Sequence, residues 1–268
     1  MSTFYSRFHW REFVVGDVPT ATQFFRELLG WTIETMPGSA DYQVASFDGH
    51  TLGGFTRADG FGDTGVGPGM IHYISVDDLD AARSRAKAAG GVELTERIET
   101  QGIGAFVLMR DPGGAHHYLI QPADMSVLGP DPTMAFNRWF WTEALVEDVE
   151  ASQAYYSSVC NWTFTLNPET PNPYFEISRD TIYAAFGGLM STEHAVEENV
   201  PPHWIPYIGI DDLEGKLKKT VELGGKVSVG PWEIAGLGHT AIICEPTGAY
   251  AQLVEVRAEI RGDPMHQQ

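Results

Sequence analysis

The stretch FHWREFVVGDVPTATQFFRELLGW runs from Phe8 to Trp31, and much of it returns as FWTEALVEDVEASQAYYSSVCNW from Phe140 to Trp162. Arg11 to Val15 reads as a strand, because β-branched and aromatic residues suit a pleated, half-buried surface. DVPTATQFFRELLGW then reads as a helix. Asp17 can cap its first turn, Pro19 suits that turn, and Ala21, Phe24, Phe25, Leu28 and Leu29 fall on one face. Gly30 ends it; in the second copy Asn161 takes that place, asparagine being the next most tolerant residue of left-handed backbone.

Working outward, the repeat has a countable offset. Asp17 answers to Asp148 and Trp31 to Trp162, each 131 residues on. Asp78 answers to Asp212, Gly90-Gly91 to Gly224-Gly225, and Asp111-Pro112 to Glu245-Pro246, each 134 residues on. Two halves of similar plan follow, residues 1–125 and 137–268, joined by a linker at 126–136 where prolines and a glycine interrupt the hydrophobic pattern. Within a half the grammar repeats again. YQVASF turns at Asp48-Gly49 into TLGGFTR, and YFEIS turns at Arg179-Asp180 into TIYAAFGGLM. IHYISVDDLDAARSRAKAAGG and IPYIGIDDLEGKLKKTVELGG each supply another strand and helix, and GAFVLMRDPGGAHHYLIQP and HTAIICEPTGAYAQLVEV close the halves. The order expected is strand, helix and three strands, four times over.

Composition excludes several partners. The 268 residues carry 17 basic and 36 acidic side chains, a formal charge of 17 − 36 = −19, so phosphate backbones and anionic bilayers are repelled. Nucleic acid and membrane partners are not expected. The start, MSTFYSRFHWRE, has no long apolar run, and no stretch of about eighteen apolar residues occurs, so neither a signal peptide nor a spanning helix is expected. Cys160 and Cys244 sit in apolar stretches and read as buried thiols of a reducing, cytoplasmic compartment. The glycines of DGFGDTGVGPG, Asp59 to Gly69, follow no buried parallel strand and open no helix, so they read as a connector. No G-x-S-x-G elbow, C-x-x-C pair or Walker lysine is present.

These motifs together resemble the vicinal oxygen chelate superfamily of glyoxalase I, bleomycin-resistance proteins and extradiol dioxygenases. The resemblance rests on D-V-x-x-A-x-x-F-F-x-x-L-L-G-W at Asp17 to Trp31, Y-I-S-V-D-D-L-D-A-A at Tyr73 to Ala82, P-P-H-W-I-P-Y-I-G-I-D-D at Pro201 to Asp212, and D-P-G-G or E-P-T-G before the closing strands. It implies an α+β fold of four βαβββ modules, forming two open, cup-like mixed β-sheet barrels with helices outside. Relatives build each cup either within a half or by crossing between halves or chains.

Metal-using relatives place histidine or glutamine on a module's first strand and glutamate on its last. Seven residues before Asp17 and Asp148 stand Trp10 and Trp141, and seven before Asp78 and Asp212 stand Ile71 and Ile205. Seven after Asp111 and Glu245 stand Tyr118 and Gln252. An indole nitrogen only donates, isoleucine offers nothing, and Gln252 is a poor oxygen donor. Divalent ions want several histidine or carboxylate ligands at about 2.0 to 2.6 Å. No metal and no cofactor is therefore expected.

Strand alternation places Trp10, Glu12 and Val14 on one face, and Trp141, Glu143 and Leu145 on its counterpart. With the register that the resemblance sets, that face lines the cup. A carboxylate in an aromatic cavity costs several kcal/mol unless paired. Glu12 and Glu143 are thus candidate acceptors or general bases, with Trp10 and Trp141 as stacking walls. The competing reading has each glutamate satisfied by backbone amides or by Arg11 or Arg138, simply ordering the module. On the closing strands His116 shares the face of Tyr118, with Tyr250 and Gln252 in the matching places; His116 is a candidate acid or base. His72 and His117 point toward the helix layer, and His203 and His239 stand at strand ends.

Three functions are compatible with this pattern. The first is a metal-independent small-molecule binder of the resistance type, holding a partly apolar or aromatic ligand in a Trp/Tyr/Glu-lined cup. The second is a metal-independent isomerase, cyclase or lyase using Glu12, Glu143 or His116 for proton transfer. The third is a metal-dependent lyase or dioxygenase with relocated ligands. The expected partner is a small molecule, and a homodimer is one arrangement open to the chain.

Overall fold

A computed structural model describes residues 6–36, 38–39, 42–124, 136–179, 185–195 and 200–257. The expected module appears four times. The first runs β1 (Phe8–Val15), α1 (Val18–Leu29), β2 (Thr32–Thr35), β3 (Gln43–Phe47) and β4 (His50–Arg57). The second runs β5 (Gly69–Ser75), α2 (Leu79–Ala88), β6 (Val92–Glu93), β7 (Ile98–Thr100), β8 (Gly104–Arg110) and β9 (His116–Pro122). Its β6 and β7 both pair with β8, so one expected strand is broken into two. The third runs β10 (Trp139–Val146), α3 (Val149–Cys160), β11 (Thr163–Leu166), β12 (Tyr174–Ser178) and β13 (Gly187–Ser191). The fourth runs β14 (His203–Ile210), α4 (Leu213–Glu222), β15 (Lys226–Ile234), β16 (Gly238–Cys244) and β17 (Tyr250–Val256). Most of the linker and the residues after Arg179 in the third module's turn lie outside the described residues.

Each helix starts on the aspartate that the repeat marks. Asp17, Asp78, Asp148 and Asp212 accept from the backbone N–H of Thr20, Ala81, Ala151 and Gly215, satisfying a donor that the first helical turn leaves open. Gly30 and Asn161 close α1 and α3 in left-handed conformation, at φ 72° and 57°. In each module the first strand runs parallel to the last, as β1 with β4 and β14 with β17, while the other pairs are antiparallel.

The chain forms two compact units, and neither is a sequence half. One comprises the described residues of Met1–Trp10, Ile71–Asp131 and Glu143–Trp204, so it holds the second and third modules. The other comprises those of Arg11–Met70, Pro132–Thr142 and Ile205–Gln268, the first and fourth modules. The unit boundaries fall inside β1, β5, β10 and β14. Burial explains the grouping. In the first-and-fourth-module unit, Phe13, Val15, Phe24, Phe25, Leu28 and Trp31 share one core with Ile208, Ile210, Leu213, Ala241 and Leu253. In the other unit, Ile74, Leu79, Val107 and Leu119 share a core with Ala144, Tyr155, Tyr156, Trp162 and Leu189. Helix faces that single modules cannot cover are thus buried against a module of the other half. Trp31 and Trp162 anchor these cores, each donating its indole N–H to a backbone carbonyl, Asn137 O at 2.7 Å and Ser6 O at 3.0 Å.

The cysteines are buried free thiols, as expected. Among the described residues no helix is long and apolar enough to cross a membrane.

Candidate functional site

Core membership fixes which sheet face is left for a ligand. Phe13, Val15, Ala45 and Phe55 pack into the core under α1, so Glu12, Val14, Val44 and Gly54 occupy the opposite face. Glu12 is 5 % exposed. Its strand neighbour in β4 is Gly54, and Tyr42, just before β3, reaches across that glycine to donate its hydroxyl to Glu12 Oε2 at 3.2 Å. The glycine is required: a Cβ at Gly54 would stand 1.9 Å from Tyr42 Oη. Tyr42 is therefore a partner for Glu12, and it comes from within the first module.

Glu143 repeats the arrangement in the third module. It is 7 % exposed, its strand neighbour is Gly188, and a Cβ there would stand 1.9 Å from the hydroxyl of Tyr174. Glu12 belongs to one compact unit and Glu143 to the other. Trp10 and Trp141, two residues ahead of the glutamates on β1 and β10, are half-buried.

The closing strands carry the remaining expected residues. Tyr118 is 7 % exposed, stacks on Tyr73 at 4.3 Å between ring centroids and meets Phe106 edge-on at 5.5 Å. His116 opens β9 half-buried, opposite Arg110. In the fourth module Tyr250 opens β17 opposite Cys244, while buried Gln252 lies opposite Tyr207 and donates from Nε2 to Thr240 Oγ1 at 3.0 Å. The structure thus joins Glu12 to Tyr42, Tyr118 to Tyr73, and Gln252 to Thr240.

A second polar group lies inside the core between β9 and α3. His117 is fully buried, with Nε2 at 3.0 Å from Tyr155 Oη. Burial brings its pKa down to about 3, with a smaller contribution from the neighbouring His116. Burial pushes Asp111 up to about 6, against the pull of the Ala115 N–H and of the Ser152 and Tyr156 hydroxyls. Asp111 Oδ1 accepts from Ala115 N at 2.7 Å, whereas the buried Oδ2 has no hydrogen-bond partner among the described residues. His72 is also buried, its ring 4.3 Å from Phe8 and 5.2 Å from Trp204, in keeping with a core-facing position. His203 Nδ1 lies 2.8 Å from Pro201 O, and His239 is exposed on β16.

The divalent metal that the resemblance implies would need ligands at the first and last strands of a module. The first-strand positions hold Trp10, Trp141, Ile71 and Ile205, and the last-strand positions hold Tyr118 and a Gln252 already engaged with Thr240. Among the described residues no three histidine, cysteine, aspartate or glutamate side chains come together to hold an ion. The described residues at these positions do not fit a divalent cation.

A glyoxalase-like domain model matches residues 12–120. CFP32 of Mycobacterium tuberculosis (strain CDC 1551 / Oshkosh), provisionally named a glyoxylase, is 25 % identical over 244 residues, covering 90 % of this chain and 91 % of its own. The anthracycline biosynthesis protein DnrV of Streptomyces peucetius is 27 % identical over 267 residues, covering 92 % of both chains. Among solved structures, the Mn(II)-bound glyoxalase from Novosphingobium aromaticivorans superposes with a TM-score of 0.61 at 14 % identity, over 92 % of this chain and 81 % of that one. The 2,3-dioxygenase LapB from Pseudomonas sp. KL28 gives 0.60 at 14 % identity, over 92 % and 90 %. Residues 12–120 thus match a glyoxalase-like domain, and the four βαβββ modules share the fold of glyoxalases and extradiol dioxygenases.

Proposed function

We propose that this protein binds a small, planar, partly apolar molecule carrying a hydroxyl or amine donor, and does so without a metal ion. One observation carries the reading: a buried carboxylate, Glu12, is held by the Tyr42 hydroxyl on the sheet face turned away from the helices. A carboxylate is kept at such cost where it has a donor to meet. The negative total charge and two buried glutamates disfavour an anionic ligand. In the unit that holds Glu143, not that of Glu12, the rings of Tyr73, Tyr118 and Phe106 pack together and suit a flat apolar body. The similarity to a protein named for anthracycline biosynthesis supports a hydroxylated polycyclic aromatic as the ligand class.

Titration of tryptophan fluorescence with 1,8-dihydroxyanthraquinone tests this. Saturable quenching that Glu12→Gln weakens, with the variant still folded by circular dichroism, is the expected result. No saturable quenching in the wild-type protein, or unchanged affinity in the folded variant, refutes the reading.

The Tyr42–Glu12 hydrogen bond also favours a second reading, a metal-independent proton-transfer enzyme in which Glu12 is the base. Its mark is turnover that follows a carboxylate titration and survives a chelator.

A further inference from the structure

We infer that the chain carries two small-molecule sites of one design, one in each compact unit. The inference rests on the binding reading above and adds to it the number and construction of the sites. The design needs three adjacent strands. A glutamate stands on the module's first strand, a glycine faces it on the last, and a tyrosine on the strand beyond leans over the glycine. In the first module these are Glu12 on β1, Gly54 on β4 and Tyr42 immediately before β3. In the third they are Glu143 on β10, Gly188 on β13 and Tyr174 on β12.

The two copies agree closely. A Cβ at Gly54 would meet Tyr42 Oη, Cζ and Cε1 at 1.9, 2.3 and 2.9 Å; at Gly188 it would meet the same atoms of Tyr174 at 1.9, 2.3 and 3.0 Å. Both glutamates pair in register with the glycine that the ring crosses, and both are less than a tenth exposed. Packing alone does not call for this. A valine or leucine at positions 54 and 188 and an apolar residue in place of each glutamate would fill the same face without burying a carboxylate. In the first module the Tyr42 hydroxyl and the Glu12 carboxylate form a hydrogen-bonded pair that a phenolic hydroxyl of a ligand can join, and in the third the Tyr174 hydroxyl lies over the glycine that pairs with Glu143.

The sites are alike and not identical. Beside Gly54 on β3 stands Val44, whereas beside Gly188 on β12 stands Glu176, which accepts from Asn167 Nδ2 at 2.9 Å. The second site is the more acidic.

The test is isothermal titration of the full chain with 1,8-dihydroxyanthraquinone. Two equivalents per chain are expected, with Glu12→Gln or Tyr42→Phe weakening one by about tenfold or more, and Glu143→Gln or Tyr174→Phe weakening the other. The tyrosine variants keep the ring, so they serve if a glutamate variant does not fold. One equivalent in the wild-type protein overturns the inference and leaves the binding reading standing. No binding at all overturns both. Two equivalents that the third-module variants leave untouched place the second site elsewhere and overturn the inference.

Discussion

Tyr42 donates to Glu12 from the residue just before β3, a strand that does not pair with β1: β4 runs between them, and the hydroxyl crosses above Gly54 to reach Oε2 at 3.2 Å. Removing the donor leaves a buried carboxylate short of a partner. Tyr42→Phe is expected to destabilise the protein by about 1–3 kcal/mol in a denaturant titration and to weaken ligand binding alongside. A fully stable variant with unchanged binding would show that the contact is incidental.

Gly54→Ala should behave as Tyr42→Phe does for binding, although it removes neither polar group, because the added methyl occupies the place of the tyrosine hydroxyl. The expected stability loss is about 1–3 kcal/mol from the forced shift. A crystal structure of the variant checks the cause: the Tyr42 hydroxyl should have left Glu12.

Much of the fold is legible in the sequence because its signals are local. Asp17, Asp78, Asp148 and Asp212 mark helix starts through a hydrogen bond made within three residues, and Gly30 and Asn161 mark ends through backbone conformation alone. The side of the sheet taken by Glu12 follows from alternation with Phe13 and Val15. Two things were not legible. The grouping of the first module with the fourth depends on which helix faces bury each other, and every module carries the same apolar pattern. Tyr42 directly precedes β3 and Tyr174 opens β12, where alternation gives no side, so the sequence pattern does not reveal their role. The repeated glycine pairs, Gly53-Gly54 and Gly187-Gly188, were the available signal, since a side chain at the second position blocks a crossing ring.

The buried Asp111 and His117 should oppose each other in pH. Asp111, raised by burial from 3.8 to about 6, gives stability that is present below pH 3.8 and lost as pH rises through 6. His117, lowered by burial from 6.5 to about 3, gives stability that is present above pH 6.5 and lost as pH falls toward 3. Each changes stability by up to about 1.4 kcal/mol per pH unit within its window. Asp111→Asn should therefore cost most near pH 4 and less above pH 6, and His117→Gln should cost most above pH 6.5 and less toward pH 3. Urea titrations across this range check both, and a pH-independent cost for either variant would contradict the assignment.

Glu176 and Val44 occupy equivalent places beside Gly188 and Gly54. Glu176→Val should lower affinity for a protonated aromatic amine at the third-module site several-fold while sparing the first-module site. Competition between the amine and the hydroxyanthraquinone reads this out.

The tyrosine–glutamate pairs are proposed to bind ligand without a metal ion. The direct measurement is elemental analysis of the purified protein together with ligand titrations before and after exhaustive chelation. Substoichiometric metal and an unchanged dissociation constant are predicted. Binding that vanishes on chelation and returns with added Mn(II) would contradict it.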